Sequence, residues 1–234
     1  LGKAKVEMPD LYVYKYKKLR AMCGKGQGDG SRGRIGIPFG LNMYENLPFW
    51  FTFFTRLNFE VVLSPESSRK LYLKGQHTIP SDTVCYPAKL MHGHIADLLE
   101  RGVKTIFYPC MTYNFDEERG DNHFNCPVVA YYPELLHANV AELNAPDVHF
   151  LYPHVAVHRP KKFAEKIHGA LAAVFPDITQ REVRAAAEAL KRAGCLTQSA
   201  SGMELTPQGQ SLVEAARTVS SGRRTLSGIE LSLS

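Results

Sequence analysis

The stretch from Ile35 to Leu63 constrains the fold more than any other part of the sequence. Ile35-Gly-Ile-Pro-Phe39 is short and apolar, as a buried strand is. Gly40–Asn46 reads as a polar loop. Pro48 stands at a first helical position, and Phe49-Trp-Phe-Thr-Phe-Phe-Thr-Arg-Leu57 follows as a helix of heavy aromatic content, best read as a core helix. Asn58 closes it, and Phe59-Glu-Val-Val-Leu63 is the next strand. Strand, helix and strand in that span make a βαβ unit, which demands a parallel pair and a right-handed crossover.

The pattern continues downstream. Ser64-Pro65-Glu66 is a turn, and Ser67–Lys74 is a helix ended by Gly75. A longer helix, Tyr86–Arg101, is capped by Gly102 and can bury Leu90, Ile95, Leu98 and Leu99. Thr105–Tyr108 is a third strand. Residues 111–125 form a polar loop, and Cys126-Pro127 leads into a fourth strand, Val128–Tyr131. A helix over Pro133–Leu143 and a fifth strand over His149–Tyr152 complete the series. The predicted class is α/β: an open, mostly parallel, Rossmann-like sheet with helices on both faces, where ligands sit at the carboxyl ends of the strands.

The flanks read differently. Residues 1–33 are expected to be a linker arm. Within them Leu11–Arg20 is a short helix or edge strand, and the five glycines of Gly24–Gly33 form a flexible linker. Residues 34–158 form the α/β domain. Residues 159–219 form a helical or winged-helix-like appendage, with helices over 160–175 and 177–193, Thr179 as a cap, then a small hairpin and a helix over 210–219. Residues 220–234 are expected to be a disordered tail. The opening Leu1 suggests a chain cut from something longer.

Charge separates function classes. The formal charge is +5, and the basic excess lies in the flanks rather than the centre. That is too diffuse for the concentrated stripe of a nucleic-acid binder. No apolar run approaches a membrane span. With no secretory signal and five cysteines, the expected compartment is the cytoplasm, with reduced thiols in ligand or catalytic roles. No Walker A pattern, nucleophile elbow or His-Glu-x-x-His is present, so ATP is not bound by this chain.

Three cysteines fall inside the α/β domain: Cys85, Cys110 and Cys126. Cys85 follows the cap candidates Ser81 and Asp82 at a helix start, where the dipole favours a thiolate. Cys110 lies at the carboxyl end of a strand, and the loop before Cys126 can fold it back to the same edge. Prolines adjoin two of them, Pro109 and Pro127. Three thiolates from three loops can hold a 4Fe–4S cube with one iron left open, or zinc together with a histidine as Cys3His. They can equally be a reactive thiol or inert buried cysteines. Lys89 and His92 share a helix face with Cys85 and can present a cation to a negative cluster or ligand. His94 reads as structural. Asp121 and His123 can shape the site from the loop.

Several long motifs occur in order: Arg34-Ile-Gly-Ile-Pro, Leu41-Asn-Met-Tyr-Glu-Asn, Pro48-Phe-Trp-Phe-Thr-Phe-Phe, Phe59-Glu-Val-Val-Leu-Ser-Pro, Ile79-Pro-Ser-Asp-Thr-Val-Cys-Tyr-Pro-Ala-Lys-Leu-Met-His-Gly-His, Ile106-Phe-Tyr-Pro-Cys and Asn125-Cys-Pro-Val-Val. Together they resemble the uncharacterised domain of large proteins related to 2-hydroxyacyl-CoA dehydratases and their ATP-dependent activases, over about residues 9–175. The resemblance implies an iron–sulfur protein of low-potential electron transfer in anaerobic metabolism. Its cofactor would be a 4Fe–4S or double-cubane cluster, with Cys85, Cys110 and Cys126 as candidate ligands. Its partners would be an activase ATPase domain or chain and a second α/β dehydratase-like domain, and a homo-oligomer is compatible with the sequence. Beyond Phe175 the family's pattern would call for a second α/β half, and this chain turns to an Ala-rich helix and a Ser-rich tail. The other reading is a non-catalytic α/β binding or regulatory module with structural cysteines or a zinc site.

Overall fold

The computed structural model describes residues 10–23, 28–114, 121–192, 197–199 and 202–204. Its centre is a four-stranded sheet, β1 (Arg34–Ile37), β2 (Glu60–Leu63), β3 (Thr105–Phe107) and β4 (His149–Leu151), in the order β2-β1-β3-β4. Every pairing is parallel. The helices are α1 (Leu11–Met22), α2 (Leu41–Glu45), α3 (Leu47–Arg56), α4 (Arg69–Gly75), α5 (Tyr86–Glu100), α6 (Pro127–Asn139), α7 (Pro160–Ala172) and α8 (Gln180–Arg192). A separate antiparallel hairpin pairs β5 (Thr197–Ser199) with β6 (Gly202–Glu204).

The sheet is covered on both faces. Successive strand residues point to opposite sides. A Cβ on Gly36 of β1 would meet Leu98 of α5 and Val103. Ile35 and Ile37, both fully buried, therefore face the other side. That side is an aromatic layer. Trp50 and Phe54 of α3 lie on Phe107 of β3, with ring centroids 4.7 and 4.8 Å away, and Phe163 of α7 stacks on Phe49, Trp50 and Phe53. The helix α7 and the first part of α8, through Val183 and Ala186, are packed into this same core. Thr179 and Glu182 form a reciprocal cap at the start of α8, the Thr179 amide donating to Glu182 at 2.8 Å and the Glu182 amide to Thr179 at 3.2 Å.

Several expectations give way. Val128–Tyr131 is not a strand. It is the first turn of α6, so the sheet has four strands rather than five. The β-branched and aromatic residues suggest a strand, but Pro127 at the first helical position and Cys126 as the N-cap start a helix instead. Leu41–Glu45 is a short helix rather than loop. Of the two forms expected for Leu11–Arg20, the helix is the one observed, over Leu11–Met22. In α1, Tyr12 and Tyr14 stand exposed, whereas Tyr16 stacks on Phe39 and Tyr44. The described half of the glycine run is tied down: Glu60 donates to the Gly33 carbonyl, and Arg32 reaches Asp177 at 3.0 Å and Glu182 at 2.6 Å. Gly24–Gln27, the expected helix over 210–219 and the tail over 220–234 lie outside the described residues.

Two features fix α5, which carries Cys85 at its start. Its carboxyl end closes as predicted at Gly102, with φ +70. Gly102 donates to the Leu99 carbonyl at 2.9 Å and Val103 to that of Leu98 at 3.0 Å, the paired bonds of a Schellman motif. Its middle is in backbone contact with α4. A Cβ at Gly93 would run into the Leu71 carbonyl, and one at Gly75 into the backbone between His92 and Gly93. Replacing Gly93 with Ala should therefore destabilise the protein by about 1–3 kcal/mol through overpacking. Urea unfolding with an unchanged m value checks this. A variant as stable as the parent contradicts the close approach.

Candidate metal centre

The strand order creates a crevice. The chain leaving β1 crosses to β2 on one side, and the chain leaving β3 crosses to β4 on the other. Carboxyl ends of neighbouring strands whose connections diverge in this way are where ligands bind in open α/β sheets. Here those ends are Pro38-Phe39-Gly40 after β1 and Tyr108-Pro109-Cys110 after β3.

All three expected cysteines sit on this edge's elements. Cys110 follows β3 directly and is buried. It continues the sheet as a parallel bridge to His154, with the Cys110 amide donating to the Pro153 carbonyl and the Val155 amide to the Cys110 carbonyl, both at 3.0 Å. Cys85 is the N-cap of α5 and Cys126 the N-cap of α6, and both are exposed. The Cys126 sulfur accepts the Val129 amide at 3.5 Å. The loop between Cys110 and Cys126 doubles back as expected: Tyr113 pairs antiparallel with Phe124, Asn125 donates to the Thr112 carbonyl, and its side chain donates to that of Met111. Asp121 is exposed on that return, and His123 packs on the Tyr113 ring at 5.7 Å. Asp116, Glu117 and Glu118 lie outside the described residues. Cys23, at the end of α1, is buried in the core, and burial pushes its thiol up to about 12.

Two tyrosines that sequence reasoning did not select lie among the thiols. Tyr108 is fully buried, and its hydroxyl has no hydrogen-bond partner among the described residues. Burial raises it well above the usual phenol range, and Cys110, Tyr132 and Cys126, close enough to interact electrostatically, raise it further. Tyr132 of α6 is pushed up to about 12 by burial and then by Cys85. Tyr108 thus interacts with Cys110 and Cys126, and Tyr132 with Cys85. A buried donor without a partner is costly, and one facing sulfur suits a site where thiolate or sulfide accepts it. On the other wall of the crevice Leu41 takes a positive φ of 46, a strained conformation for a branched residue. Beside it the buried Asn42 donates to the Met111 sulfur at 3.3 Å, and its own carbonyl oxygen has no partner among the described residues.

The residues behind Cys85 differ from the expected cationic face. Lys89 turns back to donate to the Asp82 carbonyl at 2.7 Å, which ties the loop before Cys85. His92 is buried, and burial, then the nearby His77, brings it down to about 4. It carries no charge near neutral pH. Thr78 donates to the Gly75 carbonyl, so His92 Nδ1 donates to Thr78 at 2.7 Å, and Nε2 accepts the Tyr132 hydroxyl at 3.0 Å. His92 therefore positions Tyr132 beside Cys85 instead of supplying a cation. His94 is structural, as expected: it bonds Ser64 at 2.7 Å and Ser67 at 2.9 Å, and burial also holds it at about 4.

A second group was missed by sequence reasoning. Cys110, Glu134 and His154 bring their ligand atoms within 4.8 Å of one another, with His154 Nε2 2.8 Å from a Glu134 oxygen. The three are far apart in sequence, and Glu134, although it lies in a stretch expected to be helical, has no spacing that ties it to the other two. Burial, then the Glu134 carboxylate, pushes the Cys110 thiol up to about 12.

The model of the family described as CoA enzyme activase uncharacterised domain (DUF2229) matches residues 34–226. The chain belongs to this family. The DUF2229 match begins at β1 and runs past α8, so the Ala-rich helix that seemed to depart from the family's pattern falls inside it. Neither the curated proteins nor the solved structures give a match. Among the described residues no helix is long and apolar enough to cross a membrane.

The buried histidines fix a pH dependence. In the unfolded chain an imidazole takes a proton near pH 6.5, whereas native His92 and His94 stay neutral down to about 4. The folded value is the lower one, so protons favour the unfolded state between the two. Stability should hold above about pH 6.5 and fall as pH drops from there towards about 4. Urea midpoints across that window measure it, and His92→Gln should flatten the slope. A wild-type midpoint that does not move contradicts the burial.

Proposed function

We propose that this DUF2229 domain is the iron–sulfur-bearing component of an ATP-driven, low-potential electron-transfer system of the 2-hydroxyacyl-CoA dehydratase and activase type. The observation that carries the reading is that Cys85, Cys110 and Cys126 lie on elements that meet at one sheet edge, with Cys110 and Cys126 interacting with the buried Tyr108 and Cys85 with Tyr132. Soft thiolates from three separate elements are the donor set of a 4Fe–4S cluster with one iron left for a further ligand. Two of the three are N-caps, where helix dipoles favour negative sulfur.

When bound, such a cluster supplies one-electron chemistry at low potential. The protein's share is position and environment. Pro109 and Pro127 restrict the backbone beside Cys110 and Cys126. Tyr108 offers its hydroxyl to the sulfurs, and the aromatic layer under β3 keeps water from that side. Cys85 and Cys126 are open to the outside, which suits a site that another α/β domain covers and that an activase reaches to deliver an electron. ATP belongs to that activase partner. The domain alone holds the cluster, and the substrate reaches it only in the assembled system.

Anaerobic reconstitution followed by iron and acid-labile sulfide assay tests the reading. The wild-type chain should hold about four irons with matching sulfide and absorb in the visible. Cys85→Ala and Cys126→Ala should each lose most of that iron, while Cys23→Ala, altered in the core, should keep it. A colourless wild-type protein after reconstitution overturns the proposal.

A further inference from the structure

We infer that Cys110, Glu134 and His154 form a binding site for a single divalent ion of the zinc type. This goes beyond the cluster reading: it uses two residues that the cluster does not, and it shares Cys110 with it, so the two occupancies exclude each other.

The geometry is assembled from three fixed elements. Cys110 and His154 are register partners on parallel extended segments, so their side chains leave the same face. Glu134 comes to that face from α6, and its oxygen meets His154 Nε2 at 2.8 Å. The sulfur, nitrogen and oxygen donors all lie within 4.8 Å of one another, close enough for one ion to touch all three after small side-chain adjustments. A four-iron cube spreads its cysteines over separate metal atoms and would not gather three ligand atoms this tightly.

The donor chemistry agrees. Zinc takes thiolate, imidazole and carboxylate, and three protein ligands leave a fourth position for water or a carbonyl oxygen. Without an ion the group is poorly balanced. The Glu134 carboxylate stands within 4.8 Å of the buried Cys110 sulfur. A bound cation deprotonates a coordinating thiol outright and turns the repulsion between sulfur and carboxylate into shared attraction. Glu134 and His154 are both exposed, so an ion can enter without opening the core.

The test uses the full chain carrying Cys85→Ala and Cys126→Ala together, reduced, with cobalt(II) as the probe. Both replaced residues are exposed caps, and the change removes two of the three cluster thiols while leaving the triad intact. One cobalt should bind per chain, with a sulfur-to-cobalt charge-transfer band and the intense visible bands of a tetrahedral ion, and zinc should displace it. Adding His154→Ala or Glu134→Ala should weaken cobalt binding by about tenfold or more, and Cys110→Ser should remove the charge-transfer band. Circular dichroism confirms folding, and the exposed His154 provides a variant that does not disturb the core. The inference is overturned if the folded double variant binds no cobalt, if His154→Ala binds it as tightly as its parent, or if the band survives Cys110→Ser. Since this protein lacks two cluster ligands, its result is independent of the iron content of the wild-type chain, and either proposal can fail alone.

Discussion

Strands β1 and β3 lie side by side in parallel, with Gly36 opposite Ile106, while the chain leaving each turns to the opposite side of the sheet. That pairing decides where everything else goes. Each parallel strand must be followed by a covering connection, so α3 packs one face and α5 the other. The connections leaving β1 and β3 diverge at the carboxyl ends, the place where ligands bind in open α/β sheets. The bare Gly36 lets α5 come down onto the strand pair through Leu98. The same packing brings the amino end of α5, with Cys85 as its cap, to the edge at which β3 delivers Cys110.

What holds the edge in shape is a set of buried polar contacts rather than more apolar area. His94 joins α5 to Ser64 at the end of β2, and Ser64 in turn accepts the Phe39 amide at 2.7 Å, beyond the end of β1. His92 joins α5 to Tyr132 of α6. Both imidazoles are neutral because burial disfavours their charged forms. Their four bonds tie α5 to Ser64 at the end of β2, to Ser67 before α4, to Thr78 and to Tyr132 of α6. The close backbone approach of α4 to α5 at Gly75 and Gly93 supports them from behind. The edge is therefore rigid where the cysteines are anchored and open where Cys85 and Cys126 reach the surface.

Much of this was legible in the chain. The βαβ unit at Ile35–Leu63, the Gly102 cap, the Thr179 cap and the placement of Cys85 and Cys110 all follow from local signals of period, proline and glycine that the fold respects. Cys126 shows the limit. Val128–Tyr131 has the composition of a strand, and the local signal that opposes it is a proline in the first turn after a capping cysteine, Pro127 after Cys126, much as Pro87 follows Cys85 at the start of α5. His92 shows another. Helical spacing puts it in line with Cys85, but whether it is a surface cation or a neutral core group depends on Thr78 and Tyr132, which no periodicity connects to it. Glu134 and His154 meet Cys110 only through the pairing of β3 with β4 and the course of α6, which is information carried by the tertiary fold alone.

The central claim is that three thiols on this edge act on one cluster. The most direct measurement is a Mössbauer spectrum of the chain reconstituted anaerobically with iron-57. The expected spectrum is that of iron in a cubane, with one iron environment distinct from the other three because Cys85, Cys110 and Cys126 serve three of the four irons. Iron that is mononuclear, or a chain that retains none, would contradict it.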